Sequence, residues 1–96
     1  MLKDDYIALL QQHANEMRNN YGLRSMTMFG SVARGDSTEN SDVDLCVDME
    51  PKVTAIVQLK AFLEKLLNRS VDLIRMHKHI NPFLLKEIEK DGTLIF

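Results

Sequence analysis

The chain has 96 residues, 45% hydrophobic and 27% charged, with a formal net charge of −2. That length suits a single domain over residues 1–96, and the charge gives no general pull toward nucleic acid or an anionic membrane. One cysteine, Cys46, excludes an internal disulfide and suits a reducing, cytoplasmic setting; Lys3, Asp4 and Asp5 break any leader-like start, and no apolar run nears the roughly 18 residues of a membrane span.

From residue 4 to about 20, Ile7, Leu10, Ala14, Met17 and Tyr21 recur at steps of three and four. That period predicts an amphipathic helix, capped by Asp4 or Asp5 and ended by Gly22. Residues 23–29 alternate loosely and predict a strand closed by Gly30. A short helical turn over Val32 to Gly35 follows. Residues 36–41, Asp-Ser-Thr-Glu-Asn-Ser, form a polar loop rich in turn formers.

Residues 42–47 alternate cleanly. Val43, Leu45 and Val47 take one face, and Asp42, Asp44 and Cys46 the other. Pro51 ends that strand. Over 53–68 the helical period returns, with Ile56, Leu59, Leu63, Leu66 and Leu67 as the apolar stripe and Lys60, Glu64 and Lys65 on the wet side. Residues 71–76 predict a third strand. Asn81-Pro82 opens a last helix carrying Phe83, Leu84, Leu85 and Ile88, which ends near Asp91-Gly92. Residues 93–96 read as an edge strand. Helices placed between strands predict an α/β (α+β) chain, a sheet with helices packed on it.

The chemistry gathers in two places. Asp42 and Asp44 are two apart on a strand, so both point the same way, roughly 7 Å apart at the backbone. Asp72 sits between Val71 and Leu73 and repeats the pattern. If these strands are neighbours, three carboxylates share a face. Such a cluster repels itself and raises the pKa of a member. Mg²⁺ relieves it, since that ion takes a few carboxylates together with phosphate and water. Asp72 is also a candidate for taking a proton from an attacking hydroxyl.

The second place is Gly30-Ser31, where a strand hands over to a helical turn. Glycine lets the backbone approach a ligand, and free N–H groups at a helix start attract phosphate. Ser31 adds a hydroxyl. Arg34, one turn on, has the fork geometry for phosphate. Standing alone, Ser31 reads best as a helix cap. Beside Asp42 and Asp44, it reads as the phosphate end of a metal site.

Gly30-Ser31 followed by Asp42-Val43-Asp44 resembles the signature of the polymerase-β-type nucleotidyltransferases. The fuller string Gly-Ser-Val-Ala-Arg-Gly…Ser-Asp-Val-Asp-Leu is similar to the minimal nucleotidyltransferases of bacteria and archaea. The resemblance implies a small mixed sheet of about four strands with helices packed on one face and the active site on the other. It implies that Gly30 and Ser31 grip ATP, with Arg34 in support, and that Asp42, Asp44 and Asp72 hold two divalent Mg²⁺ ions. It also implies a partner. Many minimal members are encoded beside a small helical HEPN-domain protein, a ribonuclease-type toxin, and act as its antitoxin. Some transfer AMP to a tyrosine of the toxin; others neutralise it by binding alone. The larger members' second domain has no counterpart in these residues, which favours a protein acceptor. The oligomeric state stays open, a homo-oligomer included.

Cys46, Ile74 and Met76 fall on the aspartate face, where they either meet a ligand or lie under the terminal helix. His77 and His79 read as a solvated loop and His13 as a boundary residue. The Lys86, Glu87, Glu89, Lys90 run reads as a wet helix face.

Overall fold

The computed structural model describes residues 2–96. The first predicted helix is present as two, α1 (Lys3–Gln12) and α2 (Ala14–Tyr21). The break is local. The His13 N–H donates to Leu10 O, a three-residue step that tightens the chain there. The apolar stripe carries on across it, and Tyr6, Leu10, Ala14 and Met17 are all buried. Asp5 accepts the Leu2 N–H at 2.9 Å, which satisfies a backbone donor at the helix start. Gly22, at φ +69°, turns the chain out of α2 as expected.

There follow β1 (Ser25–Phe29), α3 (Gly30–Arg34), β2 (Val43–Asp48), α4 (Val53–Leu67), β3 (Val71–Arg75), α5 (Pro82–Asp91) and β4 (Thr93–Leu94). The last strand is shorter than the predicted 93–96. Even so, the Met26 N–H donates to Phe96 O at 3.0 Å, so the chain stays paired beyond it.

The four strands form one mixed sheet in the order β3-β2-β1-β4. β1 runs antiparallel to both β2 and β4. β2 and β3 are parallel and are joined through α4, the crossover that parallel neighbours require. Strand alternation then divides the side chains. Met26, Met28, Val43, Leu45, Val47 and Val71 face α1, α2 and α4. There they meet Tyr6, Leu10, Met17, Leu59, Leu63 and Leu67. Each such leucine stabilises the fold by about 1.5–3 kcal/mol through burial alone.

The small mixed sheet is as expected. The placement of helices on one face holds for α1, α2 and α4, and α5 departs from it. Ile88 of α5 packs with Phe29 and Cys46 on the opposite face, joined by Ile74, Met76, Ile80 and Leu84. The cause is visible in the strands. Their aspartate face also carries apolar residues, and Leu84 and Ile88, one helical turn apart, cover them. Asn81 caps α5 by accepting the Phe83 N–H at 2.8 Å, with Pro82 in the first turn, as the sequence predicts.

Candidate active site

The site is set by register. Phe29, the last residue of β1, lies opposite Asp44 of β2. Asp44 in turn lies beside Asp72 of β3. Adjacent strands run about 5 Å apart, so Asp44 and Asp72 are immediate neighbours on one face. The parallel pairing makes these strands neighbours and places Asp72 beside Asp44.

Gly30 follows Phe29 at φ +74°, the left-handed region that favours glycine. A Cβ at this position would collide with Asp44 Oδ2. The glycine is therefore needed twice, for its backbone angle and for its empty side. Through it the Gly30-Ser31 end and the Asp44 end, fourteen positions apart in sequence, meet at one point. Ser31 is half-buried in the first turn of α3, whose leading N–H groups have no partner within the helix.

Asp42 is exposed and precedes β2 by one residue. Its position comes from the loop before it. Ser41 N–H donates to Thr38 O at 3.1 Å, and Thr38 N–H donates to Ser41 Oγ at 2.9 Å. Arg69 then bonds the carbonyls of both Thr38 and Ser41. In the sequence, the only signal of Arg69 is a cation two residues before β3.

Asp44 carries the electrostatic signature. Its pKa is pushed up to about 6 from the ordinary 3.8, first by burial, then by the charges of Asp72, Asp42 and Glu87; Arg34 opposes the rise. Glu87 is a second residue the sequence concealed. It lies on the exposed face of α5, as the sequence predicts, and its charge reaches Asp44 because α5 crosses the aspartate face. Arg34 donates to Asp36 Oδ2 at 3.1 Å and to Asp91 Oδ2 at 3.0 Å. These two bonds engage Nε and one terminal nitrogen of the guanidinium and leave its other N–H groups free among the described residues.

The donor set fits a hard divalent cation. Asp44 and Asp72 stand in register on neighbouring strands, the charge of Asp72 helps to raise Asp44, and no Cβ at Gly30 fills the space beside Asp44. Among the described residues, no three His, Cys, Asp or Glu side chains are placed to hold a metal ion together, so Asp42 does not complete a three-carboxylate cluster with the in-register pair Asp44 and Asp72. An edge of carboxylates that leaves positions to phosphate and water suits Mg²⁺ better than a cage does.

His77 and His79 lie in an exposed loop, with the His79 N–H donating to His77 Nδ1. His13 is half-buried, 3.0 Å from Glu16 and edge-on to Phe62. Cys46, Ile74 and Met76 lie under α5.

Comparison with known proteins agrees with this geometry. Residues 11–96 match the family described as polymerase beta, nucleotidyltransferase. A Methanocaldococcus jannaschii relative, provisionally named a protein adenylyltransferase, is 37% identical over 87 residues, 86% of this chain and 87% of its own length. Protein adenylyltransferase MntA of Thermococcus cleftensis is 41% identical over 69 residues, 70% of each chain. Among solved structures, the fold is shared with a complex of tri-AMPylated Shewanella oneidensis HEPN toxin and its MNT antitoxin, at a TM-score of 0.67 and 20% identity, over 94% of this chain and 71% of that one. The carboxylates in register and the glycine pressed against them thus have their explanation: the chain belongs to the polymerase-β-type nucleotidyltransferases, as a minimal member.

Proposed function

We propose that this chain is a Mg²⁺-dependent protein adenylyltransferase that moves AMP from ATP to a hydroxyl, a tyrosine of a helical HEPN-domain partner, and so acts as an antitoxin. The observation that carries the reading is the meeting of Gly30 and Asp44, with Asp72 in register beside them. The names of its relatives and the AMPylated toxin in the structural neighbour point the same way.

In this reading Gly30 and Ser31 hold the triphosphate through backbone N–H groups and the Ser31 hydroxyl. Asp42, Asp44 and Asp72 would hold the divalent ions, which offset the charge on phosphate oxygens when bound. Asp72, exposed at the edge of the carboxylate row, accepts the proton of the incoming hydroxyl. The hydroxyl oxygen forms a bond to the α-phosphorus, the bond to pyrophosphate breaks, and the pyrophosphate carries its electron pair away. Arg34 supports the site from α3, close enough to damp the charge at Asp44.

Mass spectrometry of the helical partner after co-expression tests this. A gain of AMP that disappears with Asp44→Asn is the expected result. A tight complex with an unmodified partner would make the chain a binding antitoxin instead.

A further inference from the structure

Arg69 makes an unusual set of contacts for a residue outside the sequence motif. One guanidinium nitrogen donates to the Tyr6 hydroxyl at 2.9 Å. The other donates to Thr38 O at 2.9 Å and also to Ser41 O. Tyr6 belongs to α1 and is 2% exposed, so it is a fixed post in the main core. Thr38 and Ser41 belong to the polar loop, whose first residue, Asp36, is bonded to Ser31 and Arg34 of α3 and whose 38–41 turn closes on itself. Ser41 is bonded covalently to Asp42. The backbone on both sides is also fixed: Val43 N–H donates to Ser70 O at 2.9 Å, and Val71 N–H donates to Glu64 Oε2 at 3.0 Å.

The geometry points to Arg69 as a positioning residue that ties the 36–41 loop to the core and thereby fixes Asp42. Asp42 precedes β2, so no ladder bond of its own strand holds it. Without Arg69 the carbonyls of Thr38 and Ser41 lose their anchor, and the 38–41 end of the loop keeps only its internal turn, the bonds of Asp36 to α3 lying at the other end. A planar fork spans three acceptors at once; a lysine ammonium reaches the same charge without that span. The same contacts leave Gly30 and Ser31 untouched, on the far side of Asp44. The functional consequence rests on the adenylyltransferase reading above, while the structural one does not.

The test uses the full chain with Arg69→Ala, Arg69→Lys and Tyr6→Phe. Amide hydrogen exchange is read first, without nucleotide or metal. Arg69→Ala is expected to speed exchange at residues 38–43 by tenfold or more while the amides of β1 and α4 keep their protection. Mg²⁺ titration is read second, by thermal shift. Removing a group that orients a metal ligand typically costs about 10–100-fold in metal affinity or activity, and Arg69→Ala should fall in that range. In transfer assays kcat should drop with KM for ATP little changed, and Arg69→Lys should recover only part of the loss. Tyr6→Phe should give a smaller defect in the same direction. Arg69→Ala combined with Asp42→Asn should be no worse than Asp42→Asn alone, because Arg69 acts through Asp42. Unchanged exchange at 38–43, or loss of protection spread evenly over the sheet, overturns the inference. Failure of the wild-type chain to transfer AMP would instead overturn the proposed function and leave the exchange result standing.

Discussion

Gly30 and Asp44 share one corner of the molecule, and the corner has room for only one side chain. Adding a Cβ to Gly30 places it against Asp44 Oδ2. Gly22 has a similar backbone angle, φ +69° against +74°, and nothing within 4 Å of its would-be Cβ. The two glycines therefore separate strain from collision. Gly22→Ala should cost about 1–2 kcal/mol for its left-handed angle, lowering Tm by several degrees and leaving transfer intact. Gly30→Ala should cost at least as much in Tm and should also abolish transfer, because Asp44 must move. Thermal melts and transfer assays on both variants decide it. Equal activity in the two would show that the space beside Asp44 is not used.

Asp44 makes a pH-dependent prediction. Its carboxyl holds its proton more tightly in the fold, up to about 6, than the ordinary 3.8 of an exposed chain. The folded state is therefore favoured where Asp44 is protonated, and stability falls as pH rises from about 4 through about 6. Asp44→Asn carries no charge at any pH. It should be more stable than the wild type at pH 8, with the difference gone by pH 4. Added Mg²⁺ at pH 8 should raise the wild-type Tm and not that of the variant. Denaturation at the two pH values checks this, and a difference independent of pH would show that neither burial nor the neighbouring carboxylates raise Asp44.

Much of this was legible in the sequence because the relevant physics is local. Val43, Leu45 and Val47 alternate with Asp44 and Cys46, and alternation alone puts the carboxylate opposite the core. Asn81-Pro82 and Gly22 mark helix ends through their own backbone preferences. What escaped was decided by tertiary placement. Leu84 and Ile88 announce an apolar stripe without saying which face of the sheet it will cover. Glu87 is solvated as its position in the stripe predicts, but its reach to Asp44 depends on which face α5 covers. Arg69 has no periodicity at all, and its partners Tyr6 and Thr38 lie 63 and 31 positions away. The kink at His13 was hidden because the stripe from Ile7 to Tyr21 runs straight through it.

Arg34 joins α3 to the end of α5 through Asp91, whose side chain is only 12% exposed. Two roles for this arginine make opposite predictions. If it acts by holding α5 in place, Asp91→Asn should copy Arg34→Gln, with faster amide exchange at the end of α5 and weaker transfer in both. If it is a direct phosphate partner, Asp91→Asn should free it and tighten ATP binding. The two carboxylates already engaging Arg34 favour the first outcome. ATP affinity measured for both variants settles the choice, and a tighter complex in Asp91→Asn would restore the direct contact.

Asp72 lies beside Asp44 and is exposed, while Asp44 is half-buried. That difference divides their work. In the proposed reaction a cation bound beside the half-buried carboxylate would displace its proton to solvent, and the exposed carboxylate would meet the acceptor hydroxyl approaching from solvent. Asp72→Asn removes a proton acceptor and one oxygen charge from the row. It should lower transfer by about 10²–10⁴-fold, the usual worth of a positioned base. ATP should still bind, since Gly30 and Ser31 lie across Asp44 from it. The acceptor supplies the attacking oxygen, so the defect should persist at saturating ATP and saturating partner alike. Transfer rates and ATP affinity measured on the same preparation test the assignment. Near-normal transfer by Asp72→Asn would move the base to Asp42 or to the partner itself.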